Sequence, residues 1–460
     1  MNFLHRDEIK TFHFTKCFFE GSTAHLCYAF NGGAIFFEET ITFNSMPEIT
    51  EDRRAVLQSC LRLLHLAAGV SYYKLYVPDE IKVDCTVLTK KEADFFNLFY
   101  TAGLGEFSYR NNVSLHIDFP FSETSKTVPS AFPLKKRAVV PVGGGKDSIV
   151  SIEALKALGY TPLLFSVGRP RPIRETIEKS GSESLLITRT ISPELKIFNE
   201  KIDELGAFNG HIPVTGVIAF ILLTAAVLYD FSDAVLSNER SANVGNTQKD
   251  GRTVNHQWSK SLEFEKAFRD LTADVLPDFR YFSLLRPLSE LAIASLFART
   301  DKYDSVFTSC NKAFRLDKTK RLDRWCADCD KCRFVFLALA PFMKKERLIG
   351  IFGHNMLDDE KQIEGYKELL GLSAFKPFEC VGEIEESALA FLMLLEKEEW
   401  HQDAVCRILK ELVLQKYAEQ KELLLKKVFT LTDDHLIPRD YEDVIGRFKK
   451  QTGYSLGKRH

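Results

Sequence analysis

The chain has 460 residues, which is longer than a typical domain with a single hydrophobic core, so two or three domains are expected. Its 45% hydrophobic and 27% charged residues are typical of a globular protein and exclude a disordered or collagen-like chain. A formal net charge of -2 argues against a general nucleic-acid binder, which usually carries a basic excess.

The beginning of the sequence predicts no secretion signal, because residues 1–10 include four charged residues and no apolar core. The ten cysteines are therefore expected to be reduced thiols. The most apolar run, 214–229, is too short to span a bilayer and predicts a buried helix. We expect a cytoplasmic protein without a membrane partner.

The N-terminal region, 1–130, alternates apolar and polar residues in short runs such as 24–30 and 33–43. This pattern predicts a strand-rich domain, with one helix over 51–68. The prolines, serines and threonines of 119–136 are typical of a linker. We interpret the region as the domain that recognises the substrate.

The central region, 131–345, alternates short apolar strands with helices. Strands are predicted over 136–142, 161–167, 184–188 and 233–237, and helices over 149–158 and 214–229. The alternation predicts an α/β fold in which a parallel sheet carries helices on both faces. Ligands of such sheets bind beyond the carboxyl ends of the strands. The last region, 346–460, is predicted to be helical, notably over 384–396 and 403–428.

The strongest chemical signal is the run Gly-Gly-Gly-Lys-Asp-Ser at 143–148, between a predicted strand and a predicted helix. This order places free backbone N–H groups in front of an anion. A Walker A loop would need glycine where Val140 stands, and Ser or Thr where Asp147 stands. A dinucleotide-binding turn would need glycine in place of Ser148. The plain alternative is a turn that only joins the two elements.

The run resembles the Ser-Gly-Gly-x-Asp-Ser loop of the ATP pyrophosphatase superfamily, except that Gly143 replaces the first serine. The resemblance implies an adenine nucleotide alpha hydrolase-like fold that splits ATP to AMP and pyrophosphate. It implies that Lys146, with the amides of Gly143, Gly144 and Gly145, holds the pyrophosphate. Asp147 would position Mg2+ or the loop.

Further residues follow from the same resemblance. Ser148 would donate to a phosphate oxygen, and Ser166 and Gly168, which end the second predicted strand, would meet the adenine. Glu239 lies in the polar loop 237–243 after a later strand, where it can serve Mg2+, phosphate or substrate. A solvated loop with a capping serine is the alternative for that segment.

Four cysteines, Cys310, Cys326, Cys329 and Cys332, include a Cys-x-x-Cys-x-x-Cys run and can surround a tetrahedral structural Zn2+. The deazaguanine-forming branch of the superfamily carries a comparable cluster. Free thiols are the alternative.

Three other residues are candidates for proton transfer. Cys380 and its neighbour Glu379 lie in a short polar and aromatic run, and a cysteine pKa can be tuned toward neutrality for acid or base chemistry. His256, in the run 255–260, can contact phosphate or carry a proton. A core cysteine and a surface histidine are the plain alternatives.

Several runs together resemble the bacterial UDP-N-acetylmuramoyl-L-alanyl-L-glutamate epimerase family. They are Leu64–Lys74 (LHLAAGVSYYK), Pro141–Ser148 (PVGGGKDS), Ser237–Asn243 (SNERSAN), Trp325–Cys332 (WCADCDKC) and Lys376–Gly382 (KPFECVG). The resemblance implies inversion of the terminal L-glutamate of a nucleotide-linked dipeptide in peptidoglycan synthesis, through an acyl-adenylate made from ATP. It leaves the oligomeric state open.

Two classes of alternative function stay open at this stage. The same loop would serve another adenylating enzyme, such as an amide-forming ligase, a deazaguanine-forming enzyme or a tRNA-modifying enzyme. It would also serve a sensor that binds ATP without turning it over.

Overall fold

The structure is a computed structural model that describes residues 3–125, 132–249, 251–315, 318–373 and 381–452. The chain divides into two compact units. Unit 1 comprises Met1–Val139, Leu185–Ala234 and Asn243–Tyr281, and unit 2 comprises Val140–Ser184, Val235–Ala242 and Phe282–His460. No helix in the described ranges combines the length and the apolar character needed to cross a membrane.

The strands lie mostly in the first two-thirds of the chain. They are β1 (Thr11–Glu20), β2 (Thr23–Phe30), β3 (Ile35–Phe43), β4 (Glu80–Val83), β5 (Ala138–Pro141), β6 (Leu163–Val167), β7 (Ser184–Thr190), β8 (Asp233–Leu236), β9 (Thr247–Lys249), β10 (Arg252–Val254) and β11 (Arg280–Ser283).

In the described part of the chain, nine of these strands form a sheet in the order β11-β8-β5-β6-β7-β3-β2-β1-β4, and β9 and β10 form a hairpin. The pairs β1–β2, β2–β3 and β3–β7 are antiparallel, whereas β1–β4 and β5–β8 are parallel. The predicted α/β class, with a strand-rich N-terminal region and a helical C-terminal region, is confirmed.

The helices of the N-terminal and central parts are α1 (Glu51–Ala68), α2 (Val70–Tyr73), α3 (Lys90–Gly103), α4 (Gly105–Asn111), α5 (Lys146–Lys156), α6 (Arg171–Ser180), α7 (Pro193–Glu200), α8 (Ile202–Leu205), α9 (Val214–Tyr229), α10 (Leu262–Ala273) and α11 (Glu290–Phe297). Those of the C-terminal part are α12 (Asp330–Leu339), α13 (Lys345–Phe352), α14 (Ile363–Leu369), α15 (Ile384–Leu394), α16 (Ala404–Tyr417), α17 (Lys421–Phe429) and α18 (Glu442–Thr452).

The core of unit 1 explains much of its aromatic content. Twelve of the 16 residues of α9 are buried, in line with the buried helix that the apolar run predicted, and the helix packs on α1. Phe220 of α9 is fully buried. Its ring contacts the rings of four other phenylalanines, Phe95, Phe96, Phe99 and Phe268. The phenylalanines therefore serve packing here, as the composition indicated.

Most predicted element bounds agree closely with the structure. The helices predicted over 51–68 and 214–229 have these bounds. The predicted run 403–428 consists of α16 and α17, separated by a short 3-10 turn. Residues 126–131 of the predicted linker lie outside the described residues.

Candidate active site

The glycine run joins β5 to α5 within four residues. Strand β5 ends at Pro141, and α5 begins at Lys146 with Gly145 as its N-cap residue. No side chain forms a cap hydrogen bond at this helix end. The first N–H groups of any α-helix have no intrahelical acceptor, so those of α5, together with the helix dipole, favour an anion.

The three glycines differ in how strictly their positions require glycine. Gly144 has φ +79°, and a Cβ there would lie 3.2 Å from the backbone carbon of Pro172. A Cβ at Gly145 would lie 3.3 Å from Ser309 Cβ, whereas one at Gly143 would meet no atom within 4 Å. Gly144 is therefore conformationally required. The position of Gly143, where the related loop has serine, has room for a side chain.

Lys146 is the buried cation of the loop, with only 3% of its surface exposed. Its Nζ donates to Asp147 Oδ1 at 2.5 Å and to Glu290 Oε2 of α11. Burial alone would lower the pKa of Lys146, but the charges of Asp147 and Glu290 outweigh burial and raise the pKa above its usual value. Lys146 is thus held as a fixed positive charge at the start of α5.

Two carboxylates contact the Lys146 ammonium group, and the charge of a third, Glu239, acts on one of them, Glu290. Burial raises the pKa of Glu290, Lys146 opposes that shift, and the charges of Asp147 and Glu239 raise the pKa further. The loop that carries Glu239 is held by Arg286, whose guanidinium donates to the Glu239 carbonyl oxygen at 2.8 Å. The cluster therefore brings carboxyl groups together near the glycine run, and carboxylate oxygens are the ligands that a hard divalent cation prefers.

The remaining residues predicted for the nucleotide occupy well-defined positions. The Ser148 hydroxyl donates to the Gly145 carbonyl oxygen at 3.2 Å, so in this structure it stabilises the first turn of α5. Ser166, near the end of β6, is buried, and Gly168, just after β6, has φ +78°. The Ser151 and Ser237 hydroxyls lie 2.7 Å apart, which links α5 to the end of β8.

The four predicted metal-binding cysteines lie together in unit 2. The Sγ atoms of Cys310, Cys326, Cys329 and Cys332 all lie within 4.8 Å of one another, and we call them the four-thiol cluster. Hydrogen bonds from Cys329 and Cys332 lower the pKa of Cys310, because they stabilise its thiolate. Four sulfur atoms at this separation suit a tetrahedral Zn2+.

His256 lies in unit 1, beside two residues that the sequence did not indicate. Its Nδ1 forms a hydrogen bond with Glu106 Oε2 of α4, and His211 Nδ1 lies 3.4 Å from the same oxygen. Burial raises the pKa of Glu106, but the contact with His256 lowers it to about 2. Burial and the neighbouring His256 lower the pKa of His211 to about 4. The group combines an ionised carboxylate with a neutral imidazole.

Two predicted proton carriers, Glu379 and Cys380, lie outside the described residues. Glu290 was missed by sequence reasoning, since a serine followed by glutamate before an apolar run indicates only an ordinary helix start. Glu106 and His211 were missed as well. Their pairing depends on residues about 100 and 150 positions apart in the chain, and no local motif reports such a contact.

Two family models and several known proteins that share one name match this chain. The model described as the MurL N-terminal domain matches residues 4–284, and that of the MurL C-terminal domain matches 306–424. A UDP-N-acetyl-alpha-D-muramoyl-L-alanyl-L-glutamate epimerase from Xanthomonas oryzae pv. oryzae is 43% identical over 444 residues, covering 95% of this chain and 97% of the relative.

Two relatives with the same name come from other bacteria. The protein from a Micromonospora species is 43% identical over 91% of this chain and 94% of its own. That of Salinispora tropica is 43% identical over 91% of each chain. No solved structure matches at a significant level. The chain belongs to the MurL family of UDP-N-acetyl-alpha-D-muramoyl-L-alanyl-L-glutamate epimerases.

Proposed function

We propose that this chain is an ATP-dependent epimerase of peptidoglycan precursor synthesis. It inverts the terminal L-glutamate of UDP-N-acetylmuramoyl-L-alanyl-L-glutamate to D-glutamate and converts ATP to AMP and pyrophosphate. The names of the relatives support the substrate and the inversion. The observation that supports the use of ATP is the buried Lys146, fixed by Asp147 and Glu290 directly after the three glycines.

The charges around Lys146 fit the triphosphate of ATP together with Mg2+. The amides at the start of α5 and the Lys146 ammonium group would bind phosphate oxygens. Asp147, Glu239 and Glu290 supply the carboxylate oxygens that Mg2+ prefers. Without a divalent cation, these carboxylates would repel the phosphates, so Mg2+ would reduce the repulsion and stabilise the departing pyrophosphate.

Adenylation would make the α-proton of the glutamate removable. A carboxylate holds that proton firmly, because its removal places a second negative charge beside the first. In the proposed step a carboxylate oxygen bonds to the α-phosphorus of ATP while the bond to pyrophosphate breaks. The resulting acyl-adenylate is neutral at the carbonyl and can delocalise a carbanion.

Inversion then requires a base on one face of the α-carbon and an acid on the other. The base takes the proton, the acid returns one from the opposite side, and water cleaves the anhydride to release AMP and restore the carboxylate. Cys380, Glu379 and His256 are the proposed proton carriers, and the four-thiol cluster is the proposed structural Zn2+ site.

The deciding experiment combines product analysis with a matched pair of variants. We expect the UDP-linked dipeptide to stimulate release of AMP and pyrophosphate, and chiral analysis to find D-glutamate in the product. Asp147→Asn should abolish AMP formation. Asp443→Asn changes an exposed aspartate at the same second position of another helix, α18, and should leave the rate unchanged.

Different results would separate the alternatives. Consumption of ATP with a product that keeps L-glutamate would refute epimerisation and favour another adenylating enzyme. If neither the dipeptide nor tRNA nor ATP alone yields AMP, the chain is a nucleotide-binding sensor. Cys380→Ser should retain adenylation and lose inversion; unchanged inversion would remove Cys380 from the mechanism.

A further inference from the structure

A second group of metal-binding side chains lies in unit 1, apart from the residues proposed for ATP and for proton transfer. The Sγ atoms of Cys17 and Cys85 and one ring nitrogen of His65 all lie within 4.8 Å of one another. Cys17 belongs to β1, His65 to α1, and Cys85 follows β4. Three elements distant in the sequence thus direct soft ligand atoms to one point.

The orientation of His65 is fixed by the backbone. His65 is fully buried, and its Nε2 lies 2.9 Å from the Cys27 carbonyl oxygen. A carbonyl oxygen can only accept, so Nε2 carries the proton and the lone pair is on Nδ1. Nδ1 faces the Cys85 sulfur at 3.7 Å. A metal-binding histidine is typically held in this way, by a backbone carbonyl on its other nitrogen.

The separation of the ligand atoms suits one tetrahedral ion. With zinc bonds of about 2.3 Å to sulfur and about 2.0 Å to nitrogen, two ligands of one tetrahedral ion lie about 3.5 Å apart. The distance between Cys85 Sγ and His65 Nδ1 is 3.7 Å. Binding at these two atoms therefore requires almost no rearrangement.

The approach of β4 to β1 holds the thiols in position. The two strands pair in parallel as far as Phe14 and Val83, and the Asp84 N–H donates to the Phe14 carbonyl oxygen at 3.0 Å. Cys85 therefore lies beside β1. Cys17 lies in β1 after the bulge between Phe14 and Lys16. Backbone hydrogen bonds thus fix the two thiols near each other without a metal.

Charge and access also favour a divalent cation. Arg62, whose charge acts on Cys17, donates to Glu92 at 2.5 Å, so its charge is compensated. Cys85 is exposed, which gives an ion a path from solvent. Two thiolates would neutralise Zn2+, with their two protons released to solvent.

We propose that Cys17, His65 and Cys85 form a second binding site for zinc or a similar thiophilic divalent ion, with water as the fourth ligand. The site would link β1, α1 and the segment after β4. It goes beyond the proposed epimerase function and does not depend on it. The alternative is a simple thiol–imidazole hydrogen bond with no affinity for metal.

The first test is a Co2+ titration of the reduced, metal-free full chain. The thiolate-to-cobalt charge-transfer absorption reports how much Co2+ is bound. Cys85→Ser should bind one equivalent of Co2+ less than the wild type, because it loses an exposed ligand of this site only. Cys60→Ala removes a buried thiol of the same helix as His65 and should bind as much Co2+ as the wild type. The four-thiol cluster contributes equally to all three proteins. Equal stoichiometry and absorption in Cys85→Ser and wild type would overturn the proposal.

A second measurement reads the site directly. Zn2+ should slow alkylation of Cys85 by iodoacetamide at least tenfold, as measured on the peptide that contains Cys85 by mass spectrometry. The same protection should be lost in Cys17→Ser. Alkylation of Cys85 at the same rate with and without Zn2+ would refute the site, whatever the four-thiol cluster binds.

Discussion

Acid should weaken unit 1 through His211, and His211→Asn should remove that effect. In the folded chain, burial and the nearby His256 lower the pKa of His211 from 6.5 to about 4. The unfolded chain therefore binds a proton first as the pH falls. The stability contributed by the neutral imidazole is fully present above pH 6.5 and is lost as the pH falls toward 4.

The size of the effect follows from the two pKa values of His211. A full shift of about 2.5 units corresponds to about 3 kcal/mol of unfolding free energy. Between pH 7 and pH 5 the same pKa values give a loss of about 2 kcal/mol from this group. The contribution of Glu106, whose pKa is lowered to about 2, is lost only below pH 4.5, so it does not overlap this range strongly.

Pulsed hydrogen exchange across urea concentrations would measure the effect by region. Peptides from α9, which begins three residues after His211, report on unit 1, and peptides from α16 report on unit 2. From pH 7 to pH 5, the wild type should lose about 2 kcal/mol more stability in α9 than His211→Asn loses. His354→Asn, which removes an exposed imidazole in unit 2, controls for general effects. Parallel pH dependence of α9 in wild type and His211→Asn would refute the reasoning.

Three other predictions concern the loop, the core and the thiols. Gly144→Ala should cost about 1–2 kcal/mol of stability from its positive φ and abolish ATP turnover, whereas Gly143→Ala should fold normally; equal turnover in the two variants would contradict the glycine geometry. Phe220→Ala should lower the unfolding free energy of unit 1 by about 3–5 kcal/mol in denaturant titrations, and a change below about 1 kcal/mol would show that the aromatic core repacks. Dialysis against a strong chelator should remove zinc from the four-thiol cluster and lower the melting temperature, and purified protein without zinc would contradict this.

Local sequence patterns predicted those helices and strand ends that depend only on the residues of one segment. The run Val214–Tyr229 is apolar on all faces, so its helix and its burial follow from composition alone. The glycine run also indicated both the end of β5 and the start of α5. The order of strands in the sheet could not be read in this way, because pairs such as Thr40 with Thr190 join distant segments.

The residues of the candidate site also differ in whether a local motif or only the tertiary structure indicates them. The sequence indicated Lys146, Asp147 and the four cysteines as candidates because each belongs to a short motif with fixed spacing. Glu290 is 144 residues from Lys146, and its contact with Lys146 depends on α11 packing beside α5. A glutamate in the first turn of a helix is ordinary in sequence, so only tertiary structure distinguishes this one.

The division of the chain into interleaved segments has a consequence for protein production and for folding during synthesis. Each unit takes three separate stretches of the chain, so unit 2 cannot be completed until residues beyond Phe282 have left the ribosome. A fragment that ends at residue 284, the limit of the N-terminal family match, would contain Lys146 without Glu290. We expect the loop that carries Lys146 to be unstable in such a fragment, and the fragment to need chaperones. The two regions that match the family models should therefore be produced as one chain.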